Sequence, residues 1–359
     1  MSTYYVGAGT KLSAGLQSDY YSNSGIAVNT PINITSVTLD PTVEKGSEES
    51  LLASKVKDSS YLLSIGMEGS FSANLRPETI ISAADIANNK TGWLFSAALH
   101  NLGVKDAEDV TIGDKDYSVY TYTLPAAGSE PKASTLCLNR NGALDATYPA
   151  MVIRSMTLTC PNNDFVTVDV DMVGREEITS TRGNKITADD ATYVYVAESA
   201  PGFTKSGYIV TNGVFRFQWK DAAEATEWCI ESCTITLDNG IEDSPRCYQD
   251  KQYANKPVMG RRAVSVEISV PYDERIETIK NDFLLDNLTG YAELEFTAAE
   301  DENEKVTVIM PAVSITAVGA GISGTGVIES TVSGELIQPK DGSEPFTIQV
   351  QTFHQDHQE

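Results

Sequence analysis

Residues able to do chemistry are few in this chain, and they do not cluster. Only 3 of its 359 residues are histidine. His354 and His357 stand in "FHQDHQE", a His-x-x-His spacing that could clip a metal, but no cysteine or second cluster accompanies them to complete a ligand set. His100 lies in an apolar helical stretch and reads as a surface residue or an internally satisfied one. No G-x-S-x-G turn or comparable nucleophile motif is present to build a triad around. "GAGISG", Gly319 to Gly324, matches the dinucleotide pattern, which works only where a helix N-terminus comes next to hold the pyrophosphate. The next residues, "TGVIESTVSGEL", are β-branched and alternating, so a glycine-rich hairpin is expected instead. The acidic stretches "DAEDVTIGDKD" and "AEDENEK" lack the calcium-loop spacing and read as solvated turns. Cys137, Cys160, Cys229, Cys233 and Cys247 include no C-x-x-C pair and read as small, mostly buried hydrophobes. Cys229 and Cys233, four apart in a strand-like stretch, are expected to share a face without reaching each other. No catalytic set, metal site or cofactor site emerges, and the chain is not expected to be an enzyme.

The carboxylates follow a rule. "GMEGSFSANLRPETI" (66–80) sets Glu68, Ser70 and Ser72 on one side of a strand, and "AVSVEISVPYDERIETI" (263–279) does the same with Ser265, Glu267 and Ser269. In "FVTVDVDMVG" Asp169 and Asp171 oppose Val168, Val170 and Met172; in "YAELEFTA" Glu293 and Glu295 oppose Leu294 and Phe296. A sheet with one solvated side produces this alternation, yet lysine, the usual surface charge of strands, is missing from these faces. The expected surface is a wall of hydroxyls and carboxylates without cations.

The elements that position these residues are mostly strands, period-two runs rich in Val, Ile, Thr and Tyr separated by turns such as "PNND", "DNG" and "KDG". Two helices are expected. "WLFSAALHNLG" gathers Leu94, Phe95, Ala98, Leu99 and Leu102 on one face, and "YDERIETIKNDFLL" gathers Ile276, Ile279, Phe283 and Leu284. The halves echo each other. "SVTLD" and "TITLD" end at Asp40 and Asp238, "NKTGW" and "NLTGY" place Gly92 and Gly290 at the same separation, and Glu68 to Glu267 is one residue longer. The expected fold is mainly β: two tandem, internally duplicated β-sandwich or partly open β-barrel domains, 1–200 and 201–359, each with one flanking α-helix. The first carries an insertion at about 104–145.

Composition sets the boundaries. With 41% hydrophobic and 21% charged residues the chain suits a soluble globular protein, and no apolar run is long enough for a membrane helix. The first residues, "MSTYYVGAGTKLSAG", show no basic start and apolar run, so no export signal is expected. Lys and Arg number 26 against 50 Asp and Glu, a net charge of −24 that repels nucleic acid and anionic lipid.

In layout the chain resembles the tail tube proteins of long-tailed bacteriophages. An early "GAGTKL" strand, "VTLD" with a long loop, "MEGSFSANLRPE", the "TGWLFSAALHNLG" helix and "YPAMVIRSMTLTC" carry the resemblance, repeated in "TLDNGIED", "VSVEISVPYDERIE" and "IMPAVSITAVG". The resemblance implies rings stacked into a channel for DNA. Single-copy relatives form hexamers, and a fused two-copy chain looks like one that forms trimeric, pseudo-sixfold rings through head-to-tail contacts. The implied partners are other copies of itself and further tail proteins (tape measure, tail terminator, baseplate or tip), with DNA passing transiently and no membrane. The implied location is the virion tail, after assembly in the host cytoplasm. Glu68, Ser70, Ser72, Asp169, Asp171, Ser265, Glu267, Ser269, Glu293 and Glu295 then become candidates for the lumen wall, with the helices packed outside. The polar loops at about 41–60 and 239–260, with Glu44, Glu48, Glu49, Asp243, Arg246 and Lys251, become candidates for ring stacking, "VEKGSEES" ordering only on assembly. The residues alone leave open a two-domain β-sandwich surface protein or adhesin, for which the sequons at Asn33, Asn89 and Asn287 would matter.

Overall fold

The computed structural model describes residues 10–17, 19–20, 30–48, 59–76, 92–106, 109–126, 128–140, 145–162, 164–179, 208–218, 225–242, 256–321 and 328–353. In chain order come β1 (Thr10–Leu16), β2 (Thr30–Ile32), β3 (Ile34–Glu48), β4 (Ser59–Asn74) and helix α1 (Trp93–Ala98). Next are β5 (Val104–Lys105), β6 (Val110–Ile112), β7 (Lys115–Thr123), β8 (Ser134–Arg140), β9 (Asp145–Pro161), β10 (Thr167–Gly174) and β11 (Ile178–Thr179). The remainder holds β12 (Tyr208–Gln218), β13 (Thr226–Trp228), β14 (Ser232–Asp238), β15 (Ile241–Glu242), β16 (Val258–Met259) and β17 (Ala263–Pro271). Helix α2 (Glu274–Thr278) continues as a π-helical turn (Ile279–Leu285) into β18 (Thr289–Ala298), β19 (Lys305–Gly321), β20 (Glu329–Leu336) and β21 (Thr347–Phe353).

The protein is mainly β, an antiparallel sandwich that does not close into a barrel. Alternation builds it. In β17, Val264, Val266, Ile268 and Val270 are buried while Ala263, Ser265 and Glu267 are exposed. One sheet runs β3–β4–β10–β9–β14–β17–β20–β19, every neighbour antiparallel. It consists of two four-strand sets with the same connectivity, β3–β4–β10–β9 and β14–β17–β20–β19. Behind each set lies a second layer. The first half of β9 leaves the front sheet to pair with β8 and β11, with β1 and β2 beyond β8. The first half of β19 does the same with β18 and β21, with β12 and β13 beyond β18. Long strands that serve both sheets make the corners of the sandwich. In β9 the corner passes through Ala150 at φ 58, held where the Gln17 side chain accepts from its N–H at 2.7 Å. In β18, Gly290 is required by packing: a Cβ there would lie 2.2 Å from the Phe217 ring.

Several expectations need correction. The duplication is real in strand topology, but two of its sequence anchors are not equivalent positions. Gly92 precedes α1, whereas Gly290 comes after the second helix, as the second residue of β18. Glu68 lies opposite Asp40 while Glu267 lies opposite Thr234, so sheet register matches Glu267 with Ser72 rather than Glu68. The 104–145 segment is not all additional: β8 takes the place in the first layer that β18 takes in the second, and β5–β7 have no counterpart. Helix α1 does not flank the sheets. "WLFSAA" carries only the small hydroxyl of Ser96 among apolar side chains, and Trp93 to Ala98 are all buried, against β9, β1 and the Phe71 and Tyr122 rings, while Leu102 is exposed. Helix α2 is amphipathic as expected, capped by Asp273 and burying Ile276, Ile279 and Phe283. Cys229 is exposed between β13 and β14, so it does not share a face with buried Cys233. Cys233 instead lies opposite Cys160 across β9 and β14, and burial pushes the Cys160 thiol up to about 12.

Candidate functional site

The solvent side of the eight-strand sheet is a broad polar surface built by regular alternation. One row across it runs Thr38, Ser70, Asp171, Ser155, Asp238; another runs Thr236, Ser265, Glu335, Ser314. The face brings together Glu68, Ser70, Ser72, Asp169, Asp171, Ser265, Glu267 and Ser269. These side chains are held to it by the buried residues that alternate with them, such as Met67, Phe71, Val168, Val170, Val266 and Ile268. Hydroxyls orient the acids: Ser72 Oγ donates to Asp169, and Ser333 Oγ donates to Glu267 at 3.5 Å. Asp40, Asp238 and Glu335 add carboxylates that pattern reading alone did not single out.

Glu293 and Glu295 are not on this face. They sit on β18 in the second layer, where Arg216 and Tyr291 bond Glu293 at 2.5 Å and Lys305 bonds Glu295 at 2.9 Å. Their alternation is real, but period two tells only which residues share a side of one strand. It does not say which sheet the strand joins. The front face also holds a cation. Arg154 lies at the bulge of β9, its guanidinium 3.5 Å from Asp171 and 3.8 Å from Glu68. The signal was present in "VIRSM", where two consecutive polar residues interrupt the alternation as a bulge requires. Glu68 is 59% exposed, so its pairing with Arg154 contributes little.

The expected loop after Asp40 is a ribbon. Strands β3 and β4 continue past the sheet, pairing from Thr42 opposite Gly66 to Glu48 opposite Ser59. Thr42, Val43, Glu44 and Lys45 are all exposed, and a two-stranded ribbon that leaves the sheet is marginal by itself in water. The matching excursion after β14 starts as the β15–β16 pair. Glu49, Asp243, Arg246 and Lys251 lie outside the described residues, as do His354 and His357.

The remaining chemical candidates are structural. His100 is buried, donating from Nε2 to the Ile153 carbonyl at 3.0 Å and accepting at Nδ1 from Lys132 N–H at 3.1 Å. Burial lowers its pKa to about 4, so the ring is neutral at physiological pH. Asp301, in the acidic turn after β18, accepts from Lys115 at 3.0 Å and from the Tyr117 hydroxyl at 2.9 Å. Burial opposes its charge, but the bond from Lys115 and its other donors hold its carboxyl below the usual range. Gly319 to Gly321 belong to β19, and β20 starts at Glu329, a strand where a dinucleotide site needs a helix. Among the described residues no helix is long and apolar enough to cross a membrane.

The arrangement can present a broad acidic and hydroxylated surface and offer strand edges for pairing. The comparisons agree with a structural part. No curated protein matches the chain. The family described as "Phage tail tube protein" matches residues 7–336, nearly the whole length. The chain belongs to the phage tail tube protein family, whose members are structural proteins of the virion tail.

Proposed function

We propose that three copies of this chain close into a pseudo-sixfold ring, that the rings stack into the tail tube, and that the acidic sheet face lines the channel through which DNA leaves. The two four-strand sets are the repeating units, carried by domains at 1–200 and 201–359. One observation carries the reading: β9, the last strand of the first set, pairs edge to edge with β14, the first strand of the second. Among the described residues the same two edges stay open at the ends of the chain's sheet, β3 on one side and residues 315–321 of β19 on the other. Repeating the joint between chains pairs β19 of one copy with β3 of the next.

Core residues at the open edges support this. Val318 lies opposite Val332 as Leu158 lies opposite Val168, and Val37 precedes Asp40 as Ile235 precedes Asp238. Leu158 and Ile235, opposite each other inside the chain, are 0% and 2% exposed. Val37 and Val318 are only half-buried and would meet at the new joint. Size favours three chains. At about 4.8 Å between strands and a tilt of about 40°, two chains would leave a lumen of roughly 20 Å inside the side chains, too tight for hydrated duplex DNA. Three leave roughly 35 Å, and the gap to the DNA is then comparable with the Debye length of about 8 Å, so the carboxylates act near the wall and keep DNA from adhering. The β3–β4 ribbon, which projects beyond the sheet, packs against the adjacent ring.

Cysteines at Val37 and Val318 test the closure, with Cys229 and Cys247 replaced by serine. Under mild oxidation the bands should stop at a covalent trimer. Tubes that assemble but yield no disulfide between chains would overturn the proposed joint.

A further inference from the structure

Within the chain, two strand ladders and a polar clasp are prominent among the connections between the two halves. The front ladder runs from Ser232 opposite Pro161 to Asp238 opposite Ser155. At its end Asn239, fully buried, donates its N–H to Arg154 O at 2.9 Å and its side-chain amide to Ala98 O at 2.8 Å and Ile153 O at 3.2 Å. His100 holds that same Ile153 carbonyl, so the first helix, the β9 bulge and the second set meet in one polar clasp. A second ladder lies at the back. Strand β7, from the segment with no counterpart in the second half, pairs along β21 from Thr123 opposite Thr347 to Tyr117 opposite Phe353. Lys115 and Tyr117 on β7 bond Asp301 of the second half.

The joint between chains cannot repeat two of these among the described residues. Sheet register makes Pro41 the counterpart of Asn239, and proline has neither a backbone N–H nor a side-chain donor. Ser314, the counterpart of Ser155, is already opposite Thr289 because β18 extends further along β19 than β8 does along β9. The back ladder has no source either. The second helix ends at Leu285 and β18 starts at Thr289, leaving no segment to reach the next chain as β7 does.

Building on the ring closure proposed above, we infer that the ring is mechanically threefold. Each chain is one stiff double block, and each joint between chains is a compliant hinge held, among the described residues, by the front ladder without the clasp or the back ladder. The partner at the hinge is a second copy of this chain, and opening, bending and subunit loss all occur there. Proline at the boundary has a physical reason: an N–H at position 41 would enter the joint where the neighbour's edge is already taken, leaving a buried donor unpaired.

Amide hydrogen exchange on assembled tubes and on the free chain tests this without a mutation. In tubes, the amides of Ile34–Leu39 and Ile315–Gly321 should gain protection over the free chain, yet exchange at least about tenfold faster than their counterparts on β14 and β9, as loss of even one or two net hydrogen bonds implies. Equal protection at the two kinds of joint would overturn the hinge while leaving the ring intact. No gain of protection at those edges on assembly would overturn the ring closure itself. Asn239→Ala supplies a second arm: exchange across Ile235–Asp238 should rise about tenfold toward the hinge value, since two side-chain bonds are lost. Unchanged exchange there would remove the clasp from the account.

Discussion

Val37→Asp separates assembly from folding, because the same chemistry occurs twice in the chain with different consequences. Val37 is half-buried on the open edge of β3, whereas its counterpart Ile235 is 2% exposed inside the β9–β14 joint. In the isolated chain, losing the packing already made by Val37 costs about 1 kcal/mol, roughly half the value of fully burying a valine. On assembly the substitution forfeits a further 1 kcal/mol or so of burial and forces a carboxylate toward Val318, which costs about 2 kcal/mol more at a partly wet edge. The total of about 3 kcal/mol weakens each joint roughly a hundredfold, and a closed ring compounds three joints. Ile235→Asp places the same carboxylate in a joint the chain cannot open without unfolding, so it should abolish the cooperative melt. Sedimentation velocity with negative-stain microscopy reads assembly, and circular dichroism melts read the fold. Val37→Asp tubes forming at the wild-type concentration would refute the reasoning. So would a loss of chain stability as large as that of Ile235→Asp.

Charge and protonation supply two further tests. Glu68→Lys with Glu267→Lys reverses two exposed charges of the front face and should leave tubes intact while making them co-sediment with duplex DNA at low salt and lowering infectivity; tubes that remain indifferent to DNA would remove that face from the lumen. His100 has a folded pKa of about 4 against 6.5 unperturbed, so between these values the unfolded chain binds a proton that the folded chain refuses. The stability linked to its neutral ring is complete above pH 6.5 and falls by about 3 kcal/mol as pH drops toward 4. Urea melts at pH 7 and pH 4.5 should show that slope, and His100→Asn, which tolerates the φ of 54 at this position, should flatten it.

What the sequence determined by itself was local and periodic. β-branched alternation specified strands, and within one strand it sorted Glu68, Ser70 and Ser72 from Met67, Phe71 and Ala73, because side chains on a strand must alternate. The histidine scarcity, the unhelical residues after "GAGISG" and the acidic excess pointed away from catalysis and toward a surface that repels polyanions. Tertiary structure decided everything that depends on which strand lies beside which. Glu293 and Glu295 alternate as faithfully as Asp169 and Asp171, yet β18 joins the back layer and pairs them with Arg216 and Lys305. Arg154 enters the front face through a bulge, and α1 is buried because the fold closes over all its sides. Even the duplication is misaligned as letters, since Gly92 lies just before its helix and Gly290 beyond the end of the other, inside β18. The β9–β14 joint had no signature in the sequence. Strand pairing is made by backbone groups common to every residue, so composition does not record it, and only the folded chain shows the edge that a neighbour would repeat.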